Sequence, residues 1–437
     1  MSSEPCHESA LPPVIIPREQ HSVSRTLIDE NSLKVLYRLR RHGYRAYLVG
    51  GSVRDLLLGR QPKDFDVGTD ATPDQVRKLF RNCRLVGRRF RLAHIMFGRD
   101  CLIEVATFRR KPQQDEIPSP EQGGLHFAEN VFGSPREDAF RRDFTINALF
   151  YDIDDFSIVD YMGGLQDLRD GIIRVIGNPD ERFAEDPVRM LRALEFAARL
   201  GFELEESIAP AIERCAEQIA SAAPARIREE LMELYRHKVS GQVLQKADKM
   251  GLLEFLLPYF KPSRESFDLL RQLDMRTASG VEVREFFTLA AMSLHHFVQQ
   301  TQEDMTIGDV HKLANRLLAG HCRYFSVANG IKHQARELLI AFFRFQRGRG
   351  RRGEQRFLRH PATEQAIELY RLWCETTNGD RELLESWTRA LAGDLGDVQH
   401  APQGDGKRKR RPRRRKRKPA SSGGAEIKHA VSDDVSS

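Results

Sequence analysis

The sequence predicts an α+β fold: a small mixed-sheet domain over residues 29–160, followed by an all-α body and a disordered basic tail. The helical part divides into a region at 161–260 and a second body at 261–395; the tail covers 396–437, and a flexible leader precedes the sheet at 1–28. Three observations carry this expectation. Short apolar runs bounded by glycines and polar turns (46–49, 85–86, 90–97, 102–108) crowd the first third, as strands do. From Asp186 to about residue 395 the apolar spacing is helical, with no internal repeat. Finally, Lys407–Lys418 reads KRKRRPRRRKRK, eleven basic residues and no acid, and 407–437 has too little apolar content to fold.

The tail also governs how the net charge is read. The 437-residue chain carries +7, and taking away those eleven cations leaves −4 for everything else. The folded part is slightly acidic, so the cationic character sits in one segment. With 30% charged and 40% apolar residues the composition is that of a globular chain with polar appendages. No apolar run is long enough to span a bilayer, and no signal peptide is expected. The six cysteines (Cys6, Cys83, Cys101, Cys215, Cys322 and Cys374) are scattered without C-x-x-C spacing, which argues against a zinc site or disulfide framework and fits a reducing cytoplasm.

Taken in order, residues 1–28 contain Pro and Ser and lack periodicity. A helix is expected at about 31–42, capped by Asn31 or Ser32 and ended by Gly43. The stretch Tyr47–Val67, YLVGGSVRDLLLGRQPKDFDV, is the element around which the rest is organised. A strand at Ala46–Val49 runs into Gly50-Gly51, and a short helix follows, closed by Gly59. Glycines at such a turn let backbone N–H groups approach an anion. Asp64 and Asp66 then lie two apart in a run that reads as a strand, so both carboxylates share a face. Side by side they repel each other unless a cation lies between them. A phosphate cradle beside a carboxylate pair is what metal-dependent chemistry on a nucleoside triphosphate requires.

Thr72-Pro73-Asp74-Gln75 has capping-box spacing and starts a helix toward Arg81. Strands follow at Leu85–Val86, Phe90–Phe97 and Leu102–Phe108, the last two joined by a turn at Gly98–Asp100. Glu104 is an acid inside the otherwise apolar run IEVATF. Residues 109–137 have the composition of a long mobile loop. DAFRRDFTINALF, Asp138–Phe150, reads as a helix or broken helix carrying Arg141, Arg142, Asp143 and Asn147. A strand near Ile172–Ile176 precedes a helix to Leu200, with Asp186 suited to its N-cap and Pro187 to its first position.

These motifs together, G-G-x-V-R-D, D-F-D, R-R-D-F-T-I-N and E-D-P-V-R, resemble the nucleotidyltransferases of the DNA polymerase β superfamily, in the branch of bacterial poly(A) polymerases and CCA-adding enzymes. The likeness is good over about residues 14–260. It implies that the domain at 29–160 is a nucleotidyltransferase head, that 161–260 is a neck reading the nucleotide base, and that 261–395 binds RNA. It further implies two Mg²⁺ ions held by Asp64, Asp66 and Glu104, with Asp143 in catalytic support. Gly50, Gly51, Arg54 and Arg142 would cradle the triphosphate of ATP. Asp186 and Arg189, in the setting of Arg192, would read the base: an acceptor and a donor suit adenine or cytosine and leave polar groups unpaired against uracil or guanine.

PREQH at 17–21, the stretch LVGRRFRLAHIMF at 85–97 and the arginine-rich tail resemble poly(A) polymerases more than CCA-adding sequences. The expectation is a template-independent polynucleotide adenylyltransferase that adds AMP to RNA 3′ ends, with tailing that feeds RNA decay and RNA-decay proteins as partners. The enzyme is expected to be a cytoplasmic monomer. A CCA-adding tRNA nucleotidyltransferase is the runner-up, and a non-catalytic RNA-binding protein on a transferase fold is the third reading.

Overall fold

The computed structural model of the chain describes residues 12–87, 91–98, 101–112 and 131–394. The expected tail at 396–437, the middle of the 109–137 loop and part of the Gly98–Asp100 turn lie outside the described residues. The sheet strands are β1 (Val14–Ile16), β2 (Ala46–Val49), β3 (Asp66–Thr69), β4 (Cys83–Val86), β5 (Leu92–Phe97), β6 (Cys101–Thr107), β7 (Leu149–Asp152) and β8 (Ile158–Asp160). They form one mixed sheet in the order β1-β8-β7-β2-β3-β6-β5-β4. Only the β3–β6 pair runs parallel.

Strand alternation divides the sheet into two unlike faces. Ala46, Leu48, Val67, Ile95, Ile103 and Val105 point into a large core shared with α1 (Glu30–Arg41) and α3 (Pro73–Leu79). Tyr47, Val49, Phe108 and Phe150 point the other way, into a small aromatic cluster completed by Tyr161. Asp66, Gly68 and Glu104 alternate onto this second face.

Helix α3 has the expected capping box, with the Thr72 side chain on the Gln75 amide and Gln75 reaching back to Thr72. Helix α1 is capped differently from the expectation: the Asp29 carboxylate, one residue before the helix, accepts from the amides of both Asn31 and Ser32. The leader expectation also needs correcting. Residues 14–16 are an edge strand paired with β8, and Val23 and Ile28 are buried in the main core, so 12–28 belong to the head. Sequence periodicity misses a three-residue strand because a neighbour 146 residues away specifies it (Val14 beside Asp160).

Asp138–Phe150 is not one helix. Helix α4 (Pro135–Arg141) opens with a second capping box at Ser134 and Glu137, inside the expected loop, and stops at Arg142. A 3₁₀ turn at Thr145–Asn147 then leads into β7. The stems of the 109–137 loop are zipped together, Arg110 N–H to Val131 O at 3.0 Å and Gly133 N–H to Phe108 O at 2.9 Å.

Beyond the sheet the chain is helical, apart from a small parallel pair, β9 (Ile172–Ile173) with β10 (Glu203–Leu204). Within 161–260, the expected neck, lie α5 (Gly164–Asp170), α6 (Pro179–Glu185), α7 (Val188–Leu200), α8 (Ile208–Cys215), α9 (Pro224–Arg236), α10 (Ser240–Lys249) and α11 (Leu253–Leu256). Within 261–395, the expected body, lie α12 (Arg264–Ala278), α13 (Glu285–Gln300), α14 (Ile307–Tyr324), α15 (Asn329–Gln346), α16 (Glu354–Leu358), α17 (Ala362–Thr377) and α18 (Arg381–Leu391). One apolar cluster runs from Val23 to Trp387, so head, neck and body share a continuous core. Among the described residues no helix is long and apolar enough to cross a membrane.

Candidate active site

The site begins where β2 ends. Gly50 adopts φ 71° and ψ −133°, a conformation that strains any residue with a Cβ. A Cβ there would also stand 2.9 Å from Nη1 of Arg142. The turn therefore brings backbone and guanidinium into close approach, with Gly51 opening α2 (Gly51–Leu57). Arg142 is held in place by Asp138, to whose Oδ2 its Nη2 and Nε donate at 3.0 and 3.2 Å, and by the Asn147 carbonyl at 3.2 Å. Its guanidinium lies 5.3 Å above the Phe150 ring.

On the same face stand the acids. The parallel register Val67–Val105 sets Asp66 beside Glu104, whose Oε1 is 3.3 Å from Nε2 of His94. Asp64 precedes the strand, which begins at Asp66, so strand alternation does not align this pair as expected. Both are exposed, and both still act on one another. Crowding by protein, then the Glu104 charge, push the Asp66 carboxyl up to about 6, with Asp64 adding to the effect and Arg142 opposing it. Among the described residues no three His, Cys, Asp or Glu side chains are gathered tightly enough to hold a metal ion. The donor chemistry nevertheless fits a hard divalent cation, which takes carboxylate oxygens and would relieve their mutual repulsion. Glu104, already paired with His94, is the least free of the three.

The remaining candidates are turned inward. Arg54 is 2% exposed: Nη1 donates to Asn147 Oδ1 at 2.6 Å, Nε to Asp55 at 2.8 Å, and the cation lies 5.0 Å over Phe196. The sequence places Arg54 in the triphosphate cradle; in the fold its donors bond Asn147 and Asp55 behind the glycine turn, with Nη2 3.4 Å from where a Cβ on Gly51 would stand. Asp143 accepts from Nη2 and Nε of Arg192 at 2.8 and 3.0 Å, from Asn147 Nδ2 at 3.0 Å and from the Phe144 amide at 2.8 Å. Burial alone would raise the Asp143 carboxyl, but Arg192 and these hydrogen bonds hold it below the ordinary carboxylate value. Arg192 also reaches Glu230 at 3.4 Å, so one guanidinium on α7 joins the head to α9. It serves the seam, and its expected contact with nucleotide is not what these bonds provide.

Asp186 is not the N-cap of α7. It ends α6, Pro187 takes the cap, and the Asp186 carboxylate is bound bidentately by Arg226 at 2.7 and 2.8 Å. Arg189 Nη1 donates to the Arg182 carbonyl at 2.9 Å and to Glu185 at 3.2 Å, and its Nε stays 4.0 Å from Asp186. Glu185 in turn binds Lys111, at the stem of the 109–137 loop, at 2.6 Å. Sequence reasoning missed Arg226, Glu230, Glu185 and Lys111. Their partners lie far along the chain, and only Glu185, adjacent to Asp186, carried a local signal.

Three family models match in succession: "Poly A polymerase head domain" over residues 46–174, "Probable RNA and SrmB- binding site of polymerase A" over 201–264, and "Polymerase A arginine-rich C-terminus" over 303–420. Poly(A) polymerase I of Salmonella typhi is 43% identical over 394 residues, 85% of this chain and 84% of the relative. The CCA-adding enzyme of Bacillus licheniformis is 36% identical over 225 residues, 52% of this chain and 55% of its own. Among solved structures, the Bacillus stearothermophilus CCA-adding enzyme in complex with CTP superposes with a TM-score of 0.62 at 26% identity, covering 83% of this chain and 82% of that one. The fold of the CCA-adding enzymes is thus shared, while the close sequence match over most of the length is to the other branch, and the chain belongs to the bacterial poly(A) polymerase family.

Proposed function

We infer that the chain is a polynucleotide adenylyltransferase that transfers AMP from ATP to the 3′ ends of RNA without a template. The observation that carries this is 43% identity to poly(A) polymerase I across 85% of the chain. The family match over 201–264, to a probable RNA-binding site, supports RNA contact there.

The residues divide the work by location. The Gly50-Gly51 turn and Arg142 receive the triphosphate: backbone approaches it closely at the glycines, and the planar guanidinium donor suits phosphate oxygens. Asp64 and Asp66, supported by Glu104, present oxygen donors for Mg²⁺. When bound, the cation lowers the pKa of the attacking 3′-hydroxyl and stabilises the departing pyrophosphate. Asp186 accepts from the exocyclic amine of adenine, and Arg189 donates to the neighbouring ring nitrogen. Asp186 Oδ1 accepts from both Arg226 and the Val188 amide, but Oδ2 keeps a second lone pair while bound to Arg226, so base reading does not require that pair to open. Asp143 and Arg192 hold the base reader at a set distance from the cradle. Catalysis is positioning plus charge stabilisation, with no covalent intermediate.

The test is an unstructured RNA primer incubated with each nucleotide separately. ATP alone yields a long ladder, CTP extends poorly, and UTP and GTP hardly at all. A product that stops after three nucleotides on a tRNA end, and needs both CTP and ATP, would overturn the reading in favour of the CCA-adding alternative.

A further inference from the structure

Among the residues given no role so far, one aromatic ring is held open to solvent in a way that packing alone does not require. Tyr259 sits in the turn after α11 and is 56% exposed. The turn itself is anchored by its neighbour Phe260, whose ring meets the buried Phe267 at 6.3 Å. Tyr259 is therefore not needed to hold the turn down. Its ring lies across Gly320 on α14. A Cβ at Gly320 would fall within 2.8 Å of three consecutive ring carbons, Cγ, Cδ1 and Cε1. Near-equal approach to neighbouring carbons means that the ring presents a face, not an edge, to the helix. The opposite face looks outward, and Tyr324, one turn along α14, flanks it at 6.4 Å between ring centroids.

The surroundings are cationic. Arg316, Gly320, Arg323 and Tyr324 are spaced i−4, i, i+3 and i+4 and so share one side of α14. Arg316 and Arg323 are exposed, as is Lys261, two residues after Tyr259. The charges of Lys261 and Arg316 both reach His296 and, after burial, help to keep it neutral, which brings the two cations into one neighbourhood. Arg316 is steadied by the neutral Gln300 side chain at 3.1 Å. None of Lys261, Arg316 and Arg323 has a carboxylate within ion-pair distance among the described residues. A slightly acidic fold thus keeps three uncompensated cations around an open aromatic face.

We propose that Tyr259 is a stacking platform for one unpaired base of the RNA primer, upstream of the 3′ end being extended, with Lys261, Arg316 and Arg323 taking the adjoining phosphates. Flat aromatic rings set in a basic groove are how proteins hold single-stranded nucleic acid without reading its sequence, because every base has a π-face. That tolerance suits an enzyme that must accept many RNA ends. Gly320 is explained by the same reading: any side chain would lift the ring from the helix, although alanine is otherwise the better helix former. The inference rests on the adenylyltransferase reading, since it takes RNA as the ligand.

The experiment uses the full chain and a single-stranded oligo(A) carrying 2-aminopurine at successive positions. Stacking should quench the probe at one internal position in the wild type. Tyr259→Phe, which keeps the ring, should retain both quench and affinity. Tyr259→Leu, which keeps apolar bulk, should lose the quench and bind roughly 5- to 100-fold more weakly. Its salt slope should be unchanged, whereas Arg323→Ala should reduce that slope by about one. Both Tyr259 variants alter an exposed side chain, and matching thermal melts check that they fold. Wild-type affinity in Tyr259→Leu, equal losses in Phe and Leu, or an equal loss on a blunt RNA duplex would each overturn the platform. AMP addition by the wild type in the same preparation separates the two claims: its absence defeats the adenylyltransferase reading, and its presence alongside a fully binding Tyr259→Leu defeats the platform alone.

Discussion

On the open face of the sheet, Asp64 and Asp66 have no basic side chain bonded to either carboxylate among the described residues, whereas at the seam behind it Asp143, Asp186 and Glu230 each accept from an arginine. The contrast separates two uses of the same functional group. Burial is tolerable for Asp143 because four donors converge on it, and its ionised form is part of how the seam is built. The open pair gains nothing comparable from the protein, and at Asp66 desolvation by the surrounding protein, then the Glu104 charge, push the carboxyl up to about 6. Acids of the first kind build geometry; acids of the second kind wait for a cation.

The largest effect that tests this division is on activity. Asp64→Ala or Asp66→Ala should lower AMP incorporation by on the order of 10³-fold or more, beyond the loss of a single preorganised donor. The melting temperature should stay at the wild-type value or rise, since a repulsion is removed. A clear fall in thermal stability would mean that these acids are structural and would dissolve the contrast.

Arg192→Ala should act in the opposite sense. It leaves Asp143 buried and unpaired, and should cost about 3 kcal/mol in urea denaturation, the low end for breaking a buried pair because the edge of Arg192 still reaches water. A double-mutant cycle with Asp143→Ala should show a large coupling energy. A cost under about 0.5 kcal/mol, the size expected of ordinary surface changes, would place Asp143 with the open acids instead.

A third, more graded effect concerns the charge carried by the tail. Removing the chain from about residue 400 deletes the eleven cations of Lys407–Lys418. RNA affinity should fall and its dependence on salt should flatten, because fewer counterions are released on binding. An unchanged slope measured by fluorescence anisotropy would take RNA phosphates off the list of what the tail meets.

The smallest effect sharpens the comparison with a buried group that is carried neutral. Burial holds the His321 imidazole down to about 4, with Glu285 working against it. A folded value below the ordinary 6.5 means that the fold favours the neutral ring. The stability this provides is complete above pH 6.5 and is lost as pH falls through 6.5 toward 4. His321→Gln should flatten that decline in denaturation curves taken across the window. A decline of unchanged steepness would show that other groups carry it.

Local chemistry was legible in the sequence; long-range pairing was not. The Thr72–Gln75 capping box, the Gly50-Gly51 turn and the alternation in IEVATF each depend on residues a few places apart, and each element is present. The edge strand Val14–Ile16 exists because β8 is there to receive it, and three residues leave no periodic trace. DAFRRDFTINALF contains no proline or glycine to announce that it changes from helix to 3₁₀ turn to strand, a change imposed by pairing of its last residues with β2 and β8. The arginines were the hardest to place. Arg54, Arg142 and Arg192 look alike in sequence, yet one is buried under Phe196, one borders the glycine turn and one spans the seam. Only the partners, up to 93 residues away, decide which is which.

The seam itself bears on what kind of polymer such an enzyme makes. A copying polymerase inherits its sequence from a template; on the proposed reading the nucleotide here is chosen by the Asp186–Arg189 pair, set at a fixed distance from the cradle by Asp143 and Arg192. That distance owes nothing to the RNA already made, so the hundredth addition is chosen by the same geometry as the first. The product is uniform along its length and records no count of its own growth. Its length is therefore set outside the pocket, by how long the RNA stays bound and by whatever removes it.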